Sequence, residues 1–175
     1  MIAVAVLSPF FPSILKDKIT DITLRDLELL GVRGLLLDVD NTLTAPKSQH
    51  LEPEVEAWLS EMKSAGIELT IVSNALPRRV IPFANKLGLR CIAFSCKPSP
   101  IGFIRGARRI KLKRKQCAAV GDQTFTDILG SKLAGVRSIQ VIPMAVEHQF
   151  TLKLKRRFEK IILNSFRKKQ SRKGG

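Results

Sequence analysis

Apolar and polar positions alternate along this chain in two rhythms. Short uninterrupted apolar runs occupy 34–39, 67–73, 91–94, 117–121 and 138–142, and runs of that length bounded by turn residues read as buried strands. Between the first two, segment 52–65 places Val55, Trp58, Leu59 and Met62 at helical spacing, with Pro53 in the first turn and Gly66 as the stop. Trp58 is therefore assigned to the core. Segments 78–87 before Gly88, 100–110, and 126–134 before Gly135 predict three more crossover helices. Fully apolar strands alternating with helices predict an α/β fold with a doubly wound parallel sheet. Connections are short, with no internal repeat and no Pro/Gly-rich linker. The expected organisation is one domain over 1–166 and a basic, disordered tail over 167–175.

Composition adds limits to that picture. A chain of 175 residues with 45% hydrophobic content can bury one core. The apolar stretch 1–7 ends at Ser8-Pro9, far short of the roughly 20 residues a spanning helix requires. It also lacks a basic leader, so it reads as a buried strand or a surface anchor rather than a removed signal. Cys91, Cys96 and Cys117 are odd in number and show no CxxC spacing, which fits reduced thiols in the cytoplasm. His50 and His148 have no nearby acidic or cysteine partner in sequence and read as surface residues.

The formal net charge of +15 is concentrated in two places. Segment 105–115 carries seven Lys or Arg and no acid, and segment 151–175 carries ten against the single Glu159. Such fields point to a polyanionic partner, an anionic membrane or nucleic acid, and the competing reading is a solvated helix surface with a disordered tail.

Candidate chemistry falls at the carboxyl ends of successive predicted strands, where an open α/β sheet places its ligand site. Asp38 and Asp40 follow Leu35-Leu36-Leu37, with Asn41 and Thr42 behind them; acids beside a buried strand are costly unless a cation or proton resolves them. Ser73-Asn74 follows Ile71-Val72 and offers a hydroxyl, an amide and backbone N–H groups to phosphate oxygens. Lys97 supplies a cation able to neutralise a phosphoryl group and an attacking carboxylate together. Asp122 and Asp127 follow Ala118-Ala119-Val120-Gly121, with Asp122 placed to ligate metal.

In this order and at strand ends, the four pieces resemble the four motifs of the haloacid dehalogenase superfamily. Pro9-Phe10-Phe11-Pro12 through Asp21-Ile22, segment 34–43, Lys97-Pro98, segment 121–127 and the basic region after Pro143 are further similar to the bacterial YqeG-like family, whose members are related to phosphatidylglycerophosphate phosphatases. The resemblance implies a Rossmann-like core and a magnesium-dependent phosphomonoester hydrolase. Asp38 would form an aspartyl-phosphate, and Asp40 would act as general acid and then base. Lys97 would balance charge, and Thr42, Ser73 and Asn74 would serve the phosphoryl oxygens or the turn that presents them. Magnesium would sit among Asp38, Asp122 and the main-chain carbonyl of Asp40, with Asp127 behind a water.

Spacing bears on the substrate. One helix and one strand fill the chain from Asp40 to Ser73, and the same from Ser73 to Lys97, so no large cap domain is expected. An open site admits a phosphate on a large molecule. Leu154, Phe158, Ile161, Ile162 and Phe166 form one apolar helical face with Lys155, Arg156, Arg157 and Lys160 around it, suited either to an anionic bilayer or to the domain's own sheet. Phe10 and Phe11 offer a second bilayer contact. The expected function is a phosphatidylglycerophosphate phosphatase, cytoplasmic and peripheral on the inner face of a membrane. The alternatives are a soluble sugar-phosphate or nucleotide phosphatase, and an RNA- or ribosome-binding protein with a vestigial site, although the chain has no Tyr and no base-stacking motif.

Overall fold

The computed structural model describes residues 8–145 and 150–171, with the side chains at 150–156 and of Phe158 outside the description. Five strands coincide with the apolar runs: β2 (Gly34–Leu37), β3 (Glu68–Val72), β4 (Arg90–Ile92), β5 (Cys117–Gly121) and β6 (Arg137–Val141). The short edge strand β1 (Ile14–Lys16) joins β6 and had no counterpart in the apolar pattern. All pairings are parallel, in the order β1-β6-β5-β2-β3-β4.

Every residue of β2 is buried, because helices cover both faces of the sheet, and that is why the strand reads as a continuous apolar run. Leu35 and Leu37 point into one core with Val55, Trp58, Ile71 and Phe83. Leu36 points into the other with Val72, Phe103 and Ala119. The chain runs outward from β2 through β3 to β4, then returns to β5 on the other side of β2. Strand order thus reverses between β2 and β5, which opens a crevice at their carboxyl ends.

The helices are α1 (Leu24–Leu30), α2 (Pro53–Ser64), α3 (Pro77–Lys86), α4 (Ile101–Arg109), α5 (Leu129–Leu133) and α6 (Phe150–Ser171). In α2, Val55, Trp58, Leu59 and Met62 are all buried as their spacing predicts, and the Trp58 indole N–H donates to the Ile22 carbonyl at 2.8 Å. Burying such a side chain contributes about 1.5–3 kcal/mol. Segment 126–134 is not one α-helix: a π-type turn over Thr124–Ile128 precedes α5. From Asp40 to Ser73 the chain holds a loop, α2 and β3, and from Ser73 to Lys97 it holds α3 and β4. No cap domain covers the crevice among the described residues.

The C-terminal helix packs back onto the domain. Ile162 and Phe166 are buried with Phe11, and the Phe11 and Phe166 rings lie 5.6 Å apart. Phe10 stacks edge-on against Phe125 at 5.4 Å. Phe11 is thus an interior packing residue and Phe10 a half-buried one packed beside it. Ile161 stays exposed. Residues 167–171 are helical where a disordered tail was expected. Residues 1–7 and 172–175, and the side chains of Leu154, Lys155, Arg156 and Phe158, lie outside the described residues.

Candidate active site

The site forms where β2 and β5 part. Asp38 extends the ladder by one step, its N–H donating to the Val120 carbonyl at 2.9 Å. The chain then turns sharply, with Asn41 at φ 61° and the N–H groups of Leu43 and Thr44 both donating to the Val39 carbonyl, at 3.0 and 3.1 Å. In the turn after the neighbouring strand β5, Asp127 reaches back over Gly121, where any Cβ would collide with its carboxyl group. The wide turn after β5 exists to seat that carboxylate, and Asp127 Oδ2 accepts the Gln123 N–H at 3.1 Å.

Lys97 joins the two strands chemically. Its Nζ lies 2.8 Å from Asp38 Oδ1 and 2.7 Å from Asp127 Oδ1, and it donates to the Val72 carbonyl at 3.0 Å. All three ammonium donors are used. The lysine is fixed from behind by Asn74, whose Oδ1 accepts the Lys97 N–H at 2.7 Å and the Ser95 hydroxyl at 3.0 Å, while its Nδ2 donates to the Lys97 carbonyl at 3.0 Å.

Electrostatics in this pocket are dominated by burial. Desolvation, partly offset by Lys97 and reinforced by Asp127, pushes the Asp38 carboxyl up to about 6. Burial also opposes the charge on Lys97, but the Asp127 and Asp38 carboxylates outweigh it and hold the ammonium well above the ordinary lysine range. Ligand oxygens of Asp38, Asp122 and Asp127 lie within 4.8 Å of one another, and all three residues are buried. Three acids beside one lysine leave the cluster anionic, which is costly in a low-dielectric site. An all-carboxylate donor set of this size fits a hard divalent cation.

The structure thus brings Asp38, Lys97, Asp122 and Asp127 together, and it places the other expected residues differently. The Asp40 carboxylate is not part of the cluster: its Oδ1 accepts the Lys47 N–H at 2.7 Å and its Oδ2 pairs with Arg79 Nη1 at 2.5 Å. Ser73 is buried, and its hydroxyl accepts from the Ala75 N–H at 3.2 Å. Asn74 positions the lysine. Thr42 is buried, its hydroxyl makes no hydrogen bond among the described residues, and it lines a cavity of about 440 Å³ with Val55, Val141, Ile142 and Met144.

Three residues around the site were not expected. Arg79, in the first turn of α3, holds Asp40. Glu159, the lone acid of the basic C-terminal segment, is buried and its Oε1 accepts the Thr124 N–H at 2.9 Å, tying α6 to the turn that carries Asp122 and Asp127. Gln140 braces the same turn, its Nε2 donating to the Asp122 carbonyl at 3.2 Å and to the Thr124 hydroxyl at 2.9 Å. A solitary acid among ten basic residues was the available signal for Glu159.

Comparison with known proteins agrees with this arrangement. Residues 48–135 match the haloacid dehalogenase-like hydrolase family, and residues 4–80 match the mitochondrial PGP phosphatase family. The chain is 36% identical over 160 residues to the probable phosphatase YqeG of Bacillus subtilis, covering 91% of this chain and 93% of that protein. It is 25% identical to phosphatidylglycerophosphate phosphatase 1, chloroplastic/mitochondrial, of Arabidopsis thaliana, over 86% of this chain but only 47% of that protein. Among solved structures it resembles in fold the cobalt-bound deoxy-D-mannose-octulosonate 8-phosphate phosphatase of Haemophilus influenzae, with a TM-score of 0.51 at 13% identity, over 79% of this chain and 91% of that one.

Proposed function

Because the chain belongs to the haloacid dehalogenase-like hydrolases and is a phosphatase of that family, we propose that it transfers the phosphoryl group of a phosphomonoester to Asp38 and then to water, with magnesium as the cofactor. The observation that carries this reading is the Lys97 ammonium held between Asp38 and Asp127, beside Asp122. In the first step an Asp38 oxygen attacks phosphorus, the bond to the alcohol oxygen breaks, and the departing alkoxide takes a proton from Asp40. In the second, Asp40 takes a proton from water, the resulting hydroxide attacks phosphorus, and inorganic phosphate leaves with Asp38 restored. Lys97 neutralises charge that would otherwise repel an anionic substrate. Asp38 and Asp122 would hold the magnesium, with the Asp40 carbonyl as a further oxygen and Asp127 behind a water. When bound, the cation draws charge from the phosphoryl oxygens. Thr42, Ser73 and the backbone at Asn74 would line the phosphoryl site.

The proposed substrate is phosphatidylglycerophosphate at the inner face of a membrane. Three observations support it: the matched segment 4–80, the resemblance to the plant enzyme, and the missing cap. The two basic segments are not equivalent here. Segment 105–115 leads into the start of β5, at the opposite end of the sheet from the site, whereas α6 is tied to the catalytic turn through Glu159. Of the two, α6 is the one joined to the site and the better placed to meet an anionic surface beside the chemistry. No helix of the described residues is long and apolar enough to cross a membrane. A soluble sugar-phosphate substrate is the second reading, favoured by the burial of Ile162 and Phe166, which removes them from any bilayer. An RNA-binding role with a vestigial site finds no support in an intact cluster.

The test is phosphate release from the lipid, nucleotides and sugar phosphates, with and without magnesium, for the parent and Asp38→Asn. The parent is expected to need the cation and to prefer the lipid, and the variant to lose at least about 10⁴-fold in rate. A variant that keeps its activity, or a parent indifferent to magnesium, overturns the mechanism. Turnover of soluble esters alone rejects the lipid.

A further inference from the structure

Arg79 is an arginine in an unfavourable place for its helix. The first turn of α3 carries Arg78 and Arg79 and no acid, although the positive end of a helix dipole favours acids there. Arg79 is nonetheless held firmly. Its Nη1 pairs with Asp40 Oδ2 at 2.5 Å, its Nη2 donates to the Ser48 carbonyl at 3.3 Å, and its own carbonyl accepts from Gln49 Nε2 at 3.2 Å. Its buried Nε donates to nothing among the described residues. The guanidinium therefore grips the carboxylate that the mechanism requires through its outer nitrogens, and these are the atoms at which another anion could replace it.

Asp40 is caught from both sides, by Arg79 on one oxygen and the Lys47 N–H on the other. A carboxylate so held cannot reach the oxygen of a departing alcohol until the arginine lets go. Side chains of this pair are about a quarter exposed, 22% for Arg79 and 30% for Asp40, so an arriving anion has access to the guanidinium. Arginine binds phosphate and carboxylate with the same planar fork, which makes an anionic substrate group a direct competitor for the position Asp40 occupies.

We propose that Arg79 selects substrates whose alcohol carries a second anionic group: that group takes the guanidinium from Asp40, and the freed carboxylate then serves the reacting phosphate. The inference rests on the phosphatase reading above and assigns its substrate class. A phosphodiester within the alcohol is the anion best matched to the fork. Arg79 is on this account a specificity residue that acts on the chemistry through Asp40.

The test compares two soluble esters with the same reacting glycerol, glycerol 3-phosphate and the terminal phosphomonoester of glycerophosphoglycerol, together with the diacyl form of the latter in mixed micelles. The full chain is assayed with magnesium as parent, Arg79→Gln and Arg79→Lys. For Arg79→Gln, kcat/KM is expected to fall roughly tenfold to a hundredfold on the diesters and to rise about twofold on glycerol 3-phosphate as Asp40 is released. Arg79→Lys keeps a cation and should retain part of the preference, which separates loss of recognition from loss of folding. A preference shown by both diesters and lost in Arg79→Gln supports the role of Arg79; one shown by the lipid alone overturns it, because the soluble diester carries the same anion. Equal loss on every ester, or no change on any, overturns it. A parent that hydrolyses none of the three is a failure of the phosphatase reading itself.

Discussion

Two ion pairs flank the reacting centre, and they are built in opposite ways. Lys97 sits between Asp38 and Asp127 with side chains 2%, 9% and 2% exposed, all three of its donors used and its backbone clamped by Asn74. Arg79 and Asp40 meet at the rim, partly open to solvent. Water screens the second pair and not the first, so similar contact distances carry different energies. The difference assigns a task to each: the buried pair fixes where charge must always be, and the rim pair can open within a turnover. Substitutions should separate the two.

The largest effect is expected at Lys97. Replacing it with Met leaves three buried carboxylates without their cation, and breaking a buried pair from one side costs about 3–5 kcal/mol. Urea unfolding in chelator should show that loss, with phosphate release abolished in the same protein. A loss below about 1 kcal/mol would place the lysine among ordinary surface pairs.

Asp38→Asn should move stability the other way. The Asp38 carboxyl is raised from 3.8 to about 6 by burial, so the folded state holds a proton that the unfolded state has released. The Asp38 contribution to stability is then fully present below about pH 4 and is lost as pH rises through the window from about 4 to 6. The variant, tested without divalent cations, should be more stable relative to the parent at pH 7.5 than at pH 4, and that difference is the gain the measurement reads. Magnesium should erase most of the gain, because it stabilises only the parent's carboxylate.

Glu159 probes the support behind the buried pair. Glu159→Ala leaves the Thr124 N–H without its acceptor at the turn that carries Asp127, a loss of about 1–3 kcal/mol. Magnesium affinity, read by titration calorimetry, should weaken with it. Glu159→Gln keeps an acceptor oxygen and should recover most of both. If Ala and Gln behave alike, the hydrogen bond to the Thr124 N–H is not what holds the turn.

The same contrast explains what was legible in the sequence. Strands buried on both faces declare themselves as apolar runs, so β2, β3, β5 and β6 and the order of acids and lysine at strand ends could be read directly, while the edge strand β4 showed only through its apolar end. Asp38, Lys97, Asp122 and Asp127 meet because the topology gathers strand ends, and no further information was needed. Arg79 was not legible because its partner lies 39 residues away and an arginine opening a helix carries no mark of its target. The role of the Asn74 side chain was not legible, since nothing local shows that its amide turns toward the backbone of Lys97. Helix α1 had a signal, the Thr23 and Asp26 capping box, but its seven residues are too few for a clear period. The three-residue strand β1 is specified by its partner β6 rather than by its own pattern.

The smallest effect on stability, and the sharpest division between folding and chemistry, is expected at Asp40. Its pairing with Arg79 is partly exposed, and such pairs contribute under about 1 kcal/mol. Asp40→Asn keeps an oxygen for the Lys47 N–H, so its urea midpoint should match the parent's closely. Phosphate release should nonetheless fall by about 10²- to 10⁴-fold, the usual contribution of a positioned proton donor and acceptor. The two halves of the cycle should not suffer alike. An ester with a good leaving group needs no proton from Asp40 in the first step, so with p-nitrophenyl phosphate the variant should release a rapid burst of nitrophenol and then stall with phosphate on Asp38. A variant that slows the burst as much as the steady state would mean that Asp40 acts through charge at Asp38 rather than through proton transfer. The rim pair would then be an extension of the buried one.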